Sequence, residues 1–377
     1  MRIAPARIHR TDLVLLGAAL LVPLVDRVAG LSLVDPLRQV LVFAILALGL
    51  NVVTGFTGLL HLGMAAFMAI GAYAFAILTC DIYPFQVGFW AALVLTAGIG
   101  ALAGFVLGAP TMALRGDYLA IVTLGFGEIV QDVLKNLDAI TKGTQGINPL
   151  PGPSVPWVVT PDAAAGASAE AGRASLGLYA FGSENEYPWY WLYLGLLVAA
   201  VVACRHLERS RTGRAWIAIR EDELAARCMG IAPVASKMTA FATGAAMAAV
   251  AGALWASMFT STGEPGNYDF QVSILALCIV IVGGMGSVSG VLLGALAMIG
   301  FANIALPKAA EWMQRQGLVT QESVFGNPNN WKYLVFGVVL VAMMRLRPDG
   351  ILPARAGRRV PGSPAAPLAS TPAGGRP

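Results

Sequence analysis

Between Gln39 and Leu114 the chain carries one formal charge, Asp81, and between Met238 and Pro307 only two, Glu264 and Asp269. A bilayer needs about 20 apolar residues for each helical crossing, so each interval holds more than one span. The apolar runs are continuous rather than alternating, which favours helices over a barrel. Charged residues make up 12% of the 377 and hydrophobic ones 57%. An ordinary soluble domain is about one quarter charged, so the chain reads as an all-α integral membrane protein.

The apolar runs place spans near 12–30, 37–54, 59–79, 87–109, 117–137, 188–204, 237–260, 270–283, 286–306 and 331–346. These form a polytopic bundle of about ten transmembrane helices. Arg2, Arg7 and Arg10 precede the first run as in a signal peptide. No clear small-residue cleavage site follows, so an uncleaved first helix is expected, weakened by Pro23, Asp26 and Arg27. Basic residues recur from Arg205 to Arg227 and from Arg345 to Arg359. Even numbers of spans separate the three basic regions, so the excess of cations on the inner side puts them all, and both termini, in the cytoplasm. The net charge of +4 is thereby spent on topology, and no nucleic-acid partner is implied.

This count divides the chain into a membrane domain over 1–352 and a tail over 353–377, rich in Pro, Ala, Gly and Arg and expected to be disordered. A loop over 138–188 lies outside, and its Gly143, Gly146, Pro149, Pro151, Pro153 and Pro156 predict irregular structure. A second outer segment, Pro307 to Asn330, contains AAEWMQRQ, which suits a short interfacial helix. The loop over 205–236 lies inside.

Within that inner loop, Ser210 to Ile231 is the densest run of charge in the chain, with Arg211, Arg214, Arg220 and Arg227 around Glu221, Asp222 and Glu223. The sequence predicts one helix closed by Gly230 at the C-cap, with Glu223 and Arg227 at ion-pair spacing. Trp216, Ile217, Ile219, Leu224, Cys228 and Met229 add apolar surface. Two readings stand: a helix that docks into a partner's groove, or a solvated loop whose arginines fix topology.

Two glycine-rich stretches follow the same logic. In Gly55 to Tyr73, Gly55 and Gly58 mark a turn, and Gly63 opens a helical face with Ala66 and Ile70. In Gly283 to Gly300, Gly283 and Gly284 precede Gly286, Gly290 and Gly294 at four-residue spacing. Such faces either pack helices closely or interrupt a helix that lines a substrate path. Glu128 lies deep in the run Leu114 to Asn136, with Asp132 and Asn136 on its face. A carboxylate at that depth faces a water-filled path or a partner, unless the helix ends early and leaves it interfacial.

Catalytic chemistry finds little support. His61 and His206 have no Cys, Asp or Glu at ligand spacing, so each is expected to be a satisfied lone histidine. Cys80, Cys204, Cys228 and Cys278 are scattered and imply neither disulfide nor zinc. No nucleophile stands paired with a base, and no phosphate-binding G-x-x-x-x-G-K-[ST] loop occurs, so the chain is read as neither an enzyme nor an ATPase, with no cofactor of its own.

Four stretches together carry a family likeness: LALGLNVVTGFTGLLHLGMAAFMAIGAY, LRGDYLAIVTLGFGEI, TGRAWIAIREDELAARCMGI and GGMGSVSGVLLGA. In this order, and covering most of the chain from about Val40 to Gly350, they resemble the LivM-type permease subunits of ABC importers for branched-chain amino acids. The resemblance implies import of leucine, isoleucine and valine across a bacterial inner membrane. It also implies a second permease subunit, two cytoplasmic ATPase subunits that use ATP, and a periplasmic binding protein. Urea, short amides and other amino acids remain alternative cargoes, and a stand-alone secondary transporter or channel is the alternative class. The likeness makes the region of Arg220, Glu221, Glu223, Ala225, Ala226 and Gly230 the helix that enters the ATPase groove. In the general importer loop a glutamate precedes the two alanines; here Leu224 takes that place and Glu223 stands one residue early.

Overall fold

The computed structural model describes residues 10–29, 33–111, 117–150, 152, 154–156, 178–180, 186–315, 331–347 and 349–353. The tail expected to be disordered, beyond residue 353, and much of the two segments expected outside the membrane lie outside the described residues. Helices occupy all ten expected intervals: α1 (Arg10–Ala29), α2 (Val34–Leu50), α3 (Met64–Thr79), α4 (Phe89–Thr111) and α5 (Asp117–Asn136) in the first half. After α6 (Asp138–Thr141) come α7 (Glu186–Arg209), α8 (Arg211–Glu221), α9 (Glu223–Cys228), α10 (Pro233–Met258), α11 (Phe270–Gly283), α12 (Val288–Gly300), α13 (Leu306–Arg315) and α14 (Lys332–Leu346). Among the described residues, six helical segments are long and apolar enough to cross a membrane, against the ten expected. α1, α3, α5 and α14 fall short because they are shorter or carry more charge.

The fold departs from an all-helical expectation at one place. In the loop over 138–188, β1 (Ser154–Pro156) pairs antiparallel with β2 (Leu178–Ala180), Ser154 opposite Ala180. That loop is also less irregular than its prolines suggest, since it opens on α6 and a 3-10 turn, Gly143–Gln145. The AAEWMQRQ helix is not separate either, because a π-helical turn, Phe301–Ala305, joins α12 to α13 without a break.

Small residues decide the packing. α2 and α10 form the centre, α10 lying against α2, α3 and α4. A Cβ at Gly71 would collide with the Ala249 carbonyl, and one at Gly252 with the Met68 carbonyl, so α3 and α10 touch backbone to backbone. Gly100 and Gly104 let α4 meet Ala249 and Ala245 of α10 in the same way. Without water to drive apolar surfaces together inside lipid, such close approach is the main source of helix cohesion.

A buried ion pair fixes α1, the helix with the weakest apolar run. Arg205 of α7 donates three bonds to Asp12 of α1, at 3.0 Å from Nε and at 3.0 and 2.8 Å from Nη2, and Asp12 is wholly buried. Ser289 of α12 donates to the same carboxylate and accepts from Arg205 at 2.9 Å, joining three helices at one point. Removing one partner of a buried pair costs about 3–5 kcal/mol where the remaining charge is left uncompensated; here Glu208, which pairs with Arg205 at 3.1 Å, reduces that cost. Asp12→Ala should therefore lower the thermal unfolding midpoint of the detergent-purified protein. Pairing it with Arg205→Leu should restore most of the loss in a double-mutant cycle.

Candidate functional site

The charge-dense segment after α7 folds as two helices rather than the single one expected. Ser210 starts α8 by accepting the Gly213 N–H at 3.0 Å. Trp216 and Ile219 are buried, and the Trp216 indole N–H donates to the Ser236 carbonyl at 2.8 Å. The helix stops at Glu221 because Asp222 adopts extended backbone and caps the next one, accepting from Leu224 and Ala225 N–H at 2.8 and 3.0 Å. A short aspartate side chain that replaces a backbone acceptor is a strong helix start, and it overrides continuation.

α9 ends as its glycine predicts. Gly230 has φ +82°, its N–H reaches the Arg227 carbonyl, and the Ile231 N–H reaches the Ala226 carbonyl at 3.1 Å. This is the paired closure that a left-handed residue permits. The six residues named for coupling divide by orientation. Glu223 turns back to the bundle, binding Lys237 of α10 at 2.8 Å and Arg227 at 3.7 Å, and Ala226 is buried. Glu221, Ala225 and Gly230 are exposed, and beside them Leu224 and Met229 are 70% and 83% exposed. Leu224 and Met229 form an exposed apolar pair on this segment.

Arg220 links this segment to the first glycine stretch. Its guanidinium donates to the Gly55 carbonyl, and its aliphatic stem covers Gly58, where an added Cβ would lie 3.0 Å from Cγ. Gly55 belongs to a π-helical stretch, Asn51–Phe56, that ends α2, and Gly58 follows at φ +72°. Wider π turns disturb the regular backbone ladder and so present carbonyls to other donors.

The same π turn holds the second glycine stretch. Asn51 is buried, and its side-chain oxygen accepts the Gly286 N–H at 2.8 Å. Gly284 and Gly286, at φ +118° and +83°, form the turn between α11 and α12, while Gly283 and Gly290 press backbone to backbone. The chain after α14 closes over this turn: the Ile351 N–H donates to the Val282 carbonyl at 2.9 Å and the Leu352 N–H to the Gly283 carbonyl at 3.0 Å. Arg220, Gly55, Gly58, Gly283, Gly284 and Gly286 are thus neighbours in one bonded run. At these glycines the helices pack backbone to backbone, and α2 is interrupted by its π turn.

Gly63 and Glu128 lie elsewhere. Gly63 precedes α3 and abuts the Thr123 carbonyl of α5; nearby, the Leu62 N–H donates to Thr123 and the Ala65 N–H to Ser273, at 3.1 and 2.9 Å. Those side chains satisfy donors that the start of a helix leaves open. His61 is buried between Phe67 and Phe241, and among the described residues neither ring nitrogen has a hydrogen-bond partner, contrary to the satisfied histidine expected. Glu128 stands mid-helix on the exposed face of α5, beside Ile129 and Asp132, and joins none of the glycine contacts.

Sequence reasoning passed over Asn51, whose one signal is an amide inside an otherwise apolar run. Asn51→Leu leaves the Gly286 N–H unpaired, which costs about 1–3 kcal/mol. The variant should unfold at a lower temperature than the parent in detergent.

Comparison with known proteins places this arrangement in a family. Residues 32–344 match the model described as branched-chain amino acid transport system, permease component. The high-affinity branched-chain amino acid transport system permease protein LivM of Escherichia coli (strain K12) is 39% identical over 85% of this chain and 70% of its own length. LivM of Salmonella typhimurium is 38% identical over the same shares. LivH of Salmonella typhimurium, a permease protein of the high-affinity branched-chain amino acid transport system, is 24% identical over 82% of this chain and 91% of its own length. No solved structure matches the chain. With the family model spanning most of its length and its helices apolar enough to cross a bilayer, the chain is a multi-pass membrane protein and belongs to the branched-chain amino acid transport system permease family.

Proposed function

We propose that the chain is one of two permease subunits of an ATP-driven importer that carries leucine, isoleucine and valine across a bacterial inner membrane. The observation that carries the reading is the α8–α9 segment, a capped double helix with Leu224 and Met229 exposed at its tip and its root bonded into the bundle. In this reading all ten helices cross the membrane, both termini and α8–α9 lie in the cytoplasm, and two ATPase subunits that use ATP receive the tip. A periplasmic binding protein delivers the amino acid from the opposite side. The likeness to both LivM and LivH supports a pair of related permeases. The Glu128 face of α5 is the surface this reading gives to the second permease, because an exposed carboxylate at mid-helix is costly against lipid.

Closure of the ATPases displaces α9, and two bonds transmit the displacement. Glu223 pulls on Lys237 and hence on α10, the central helix. Arg220 pulls on the Gly55 carbonyl and hence on the π end of α2 and the α11–α12 turn. Moving these helices against the second permease alternates the access of the path.

Two substitutions separate docking from transmission. Leu224→Asp with Met229→Asp should remove the ATPase subunits from the purified complex, at about 2 kcal/mol or more for each lost anchor, and should abolish uptake. Arg220→Ala should retain the ATPase subunits and their hydrolysis of ATP while uptake falls. Normal ATP-dependent uptake by the Leu224/Met229 variant would exclude the docking role.

A further inference from the structure

At the end of the bundle opposite α8, a cavity of about 440 Å³ opens between α2, α10, α11, the π turn after α12 and α14. That size falls in the range of small-molecule sites. Its wall is aromatic, with Phe43 edge-on to Trp255 at 5.4 Å. Across from this wall, Asn303 lies in the π-helical turn Phe301–Ala305 and donates its amide N–H to the Gln39 side-chain oxygen of α2 at 2.8 Å. Whichever way the two amides are set, one bond between them leaves one NH₂ and one C=O with no other partner among the described residues. Both side chains line the cavity.

The cavity also carries one charge of each sign. Lys332, which lies over the Tyr333 ring, lines it, and so does Asp269. Asp269 uses one carboxylate oxygen to cap α11, accepting from Gln271 and Val272 N–H. Donor and cation match a carboxylate, acceptor and anion match an ammonium, and the aromatic wall matches a short apolar side chain. A phospholipid headgroup also pairs an anion with an ammonium. The amides beside the aromatic wall are unsuited to acyl chains, which cannot satisfy them.

We propose that this cavity binds a free zwitterionic α-amino acid with an apolar side chain, within this subunit and apart from the face given to the second permease. The proposal deepens the reading of the chain as a branched-chain amino acid permease and rests on it.

The test is equilibrium binding of radiolabelled L-leucine to the permease complex, assembled with its partner subunits in phosphatidylcholine nanodiscs without the binding protein. Leucine should bind, while 4-methylpentanoate, which lacks the ammonium, and 3-methylbutylamine, which lacks the carboxylate, should compete poorly. Lys332→Gln, Asp269→Asn and Asn303→Leu should each weaken binding about tenfold, as expected for a lost charge-assisted or otherwise unreplaced hydrogen bond. Asp269→Asn keeps a capping side chain, so its loss of binding is not a loss of α11. Absence of leucine binding, equal affinity in all three variants, or loss of binding on adding phosphatidylethanolamine to the nanodiscs would each overturn the site. If ATP-dependent leucine uptake persists in any of those cases, only the site fails; if the complex carries no branched-chain amino acid at all, the reading of function fails instead.

Discussion

Backbone groups released where a helix is interrupted have no water to bind inside an apolar bundle, and each one left alone is expensive. This chain interrupts its helices at several places, and at some of them it supplies a partner from a remote segment. The π end of α2 gives its Gly55 carbonyl to Arg220, and Asn51 from the same turn takes the Gly286 N–H. The start of α3 takes Thr123 and Ser273. These partners come from remote segments, so each of these interruptions is also a cross-link. The breaks that weaken individual helices therefore tie the bundle together.

The proposed coupling follows from where the cross-links fall. Arg220 belongs to α8, outside the apolar helices, whereas the carbonyl it holds belongs to α2, which is almost wholly buried. A displacement applied to α8 acts on the core through one charge-assisted bond, with Glu223 and Lys237 as a second link into α10. The α11–α12 turn joins the same body through Asn51, and residues 350–352 brace it from beneath. Glycine is required at Gly284 for a physical reason, since positive φ is needed in a space already filled by the chain end, and Gly286 shares the positive φ.

Local and periodic features were legible in the sequence. Long apolar runs matched helices in ten intervals, six of them long and apolar enough to cross a membrane, Gly230 marked the end of α9, and the four-residue spacing of Glu223 and Arg227 foretold their ion pair. Orientation was not legible: Glu223 and Ala226 face the bundle, while Leu224, a mismatch to the importer pattern, is the exposed tip. Asp222 was one charge among several until its backbone turned extended and split the helix. The decisive pairings join residues far apart in the chain, such as Asn51 with Gly286 and Asp12 with Arg205, and no local pattern announces which polar residue meets which. The Gln39–Asn303 pair was missed for the same reason.

The central claim is that α9 and the α11–α12 turn form one mechanical body. Cys228 and Met285 are both exposed, one on each part, and suit paired spin labels once the other cysteines are replaced. Pulsed electron–electron distance measurements on the assembled transporter, with and without bound nucleotide, test the claim directly. The account predicts an unchanged Cys228–Met285 distance in a complex whose Cys228 label moves relative to the second permease. A nucleotide-dependent shift in the Cys228–Met285 distance would contradict it.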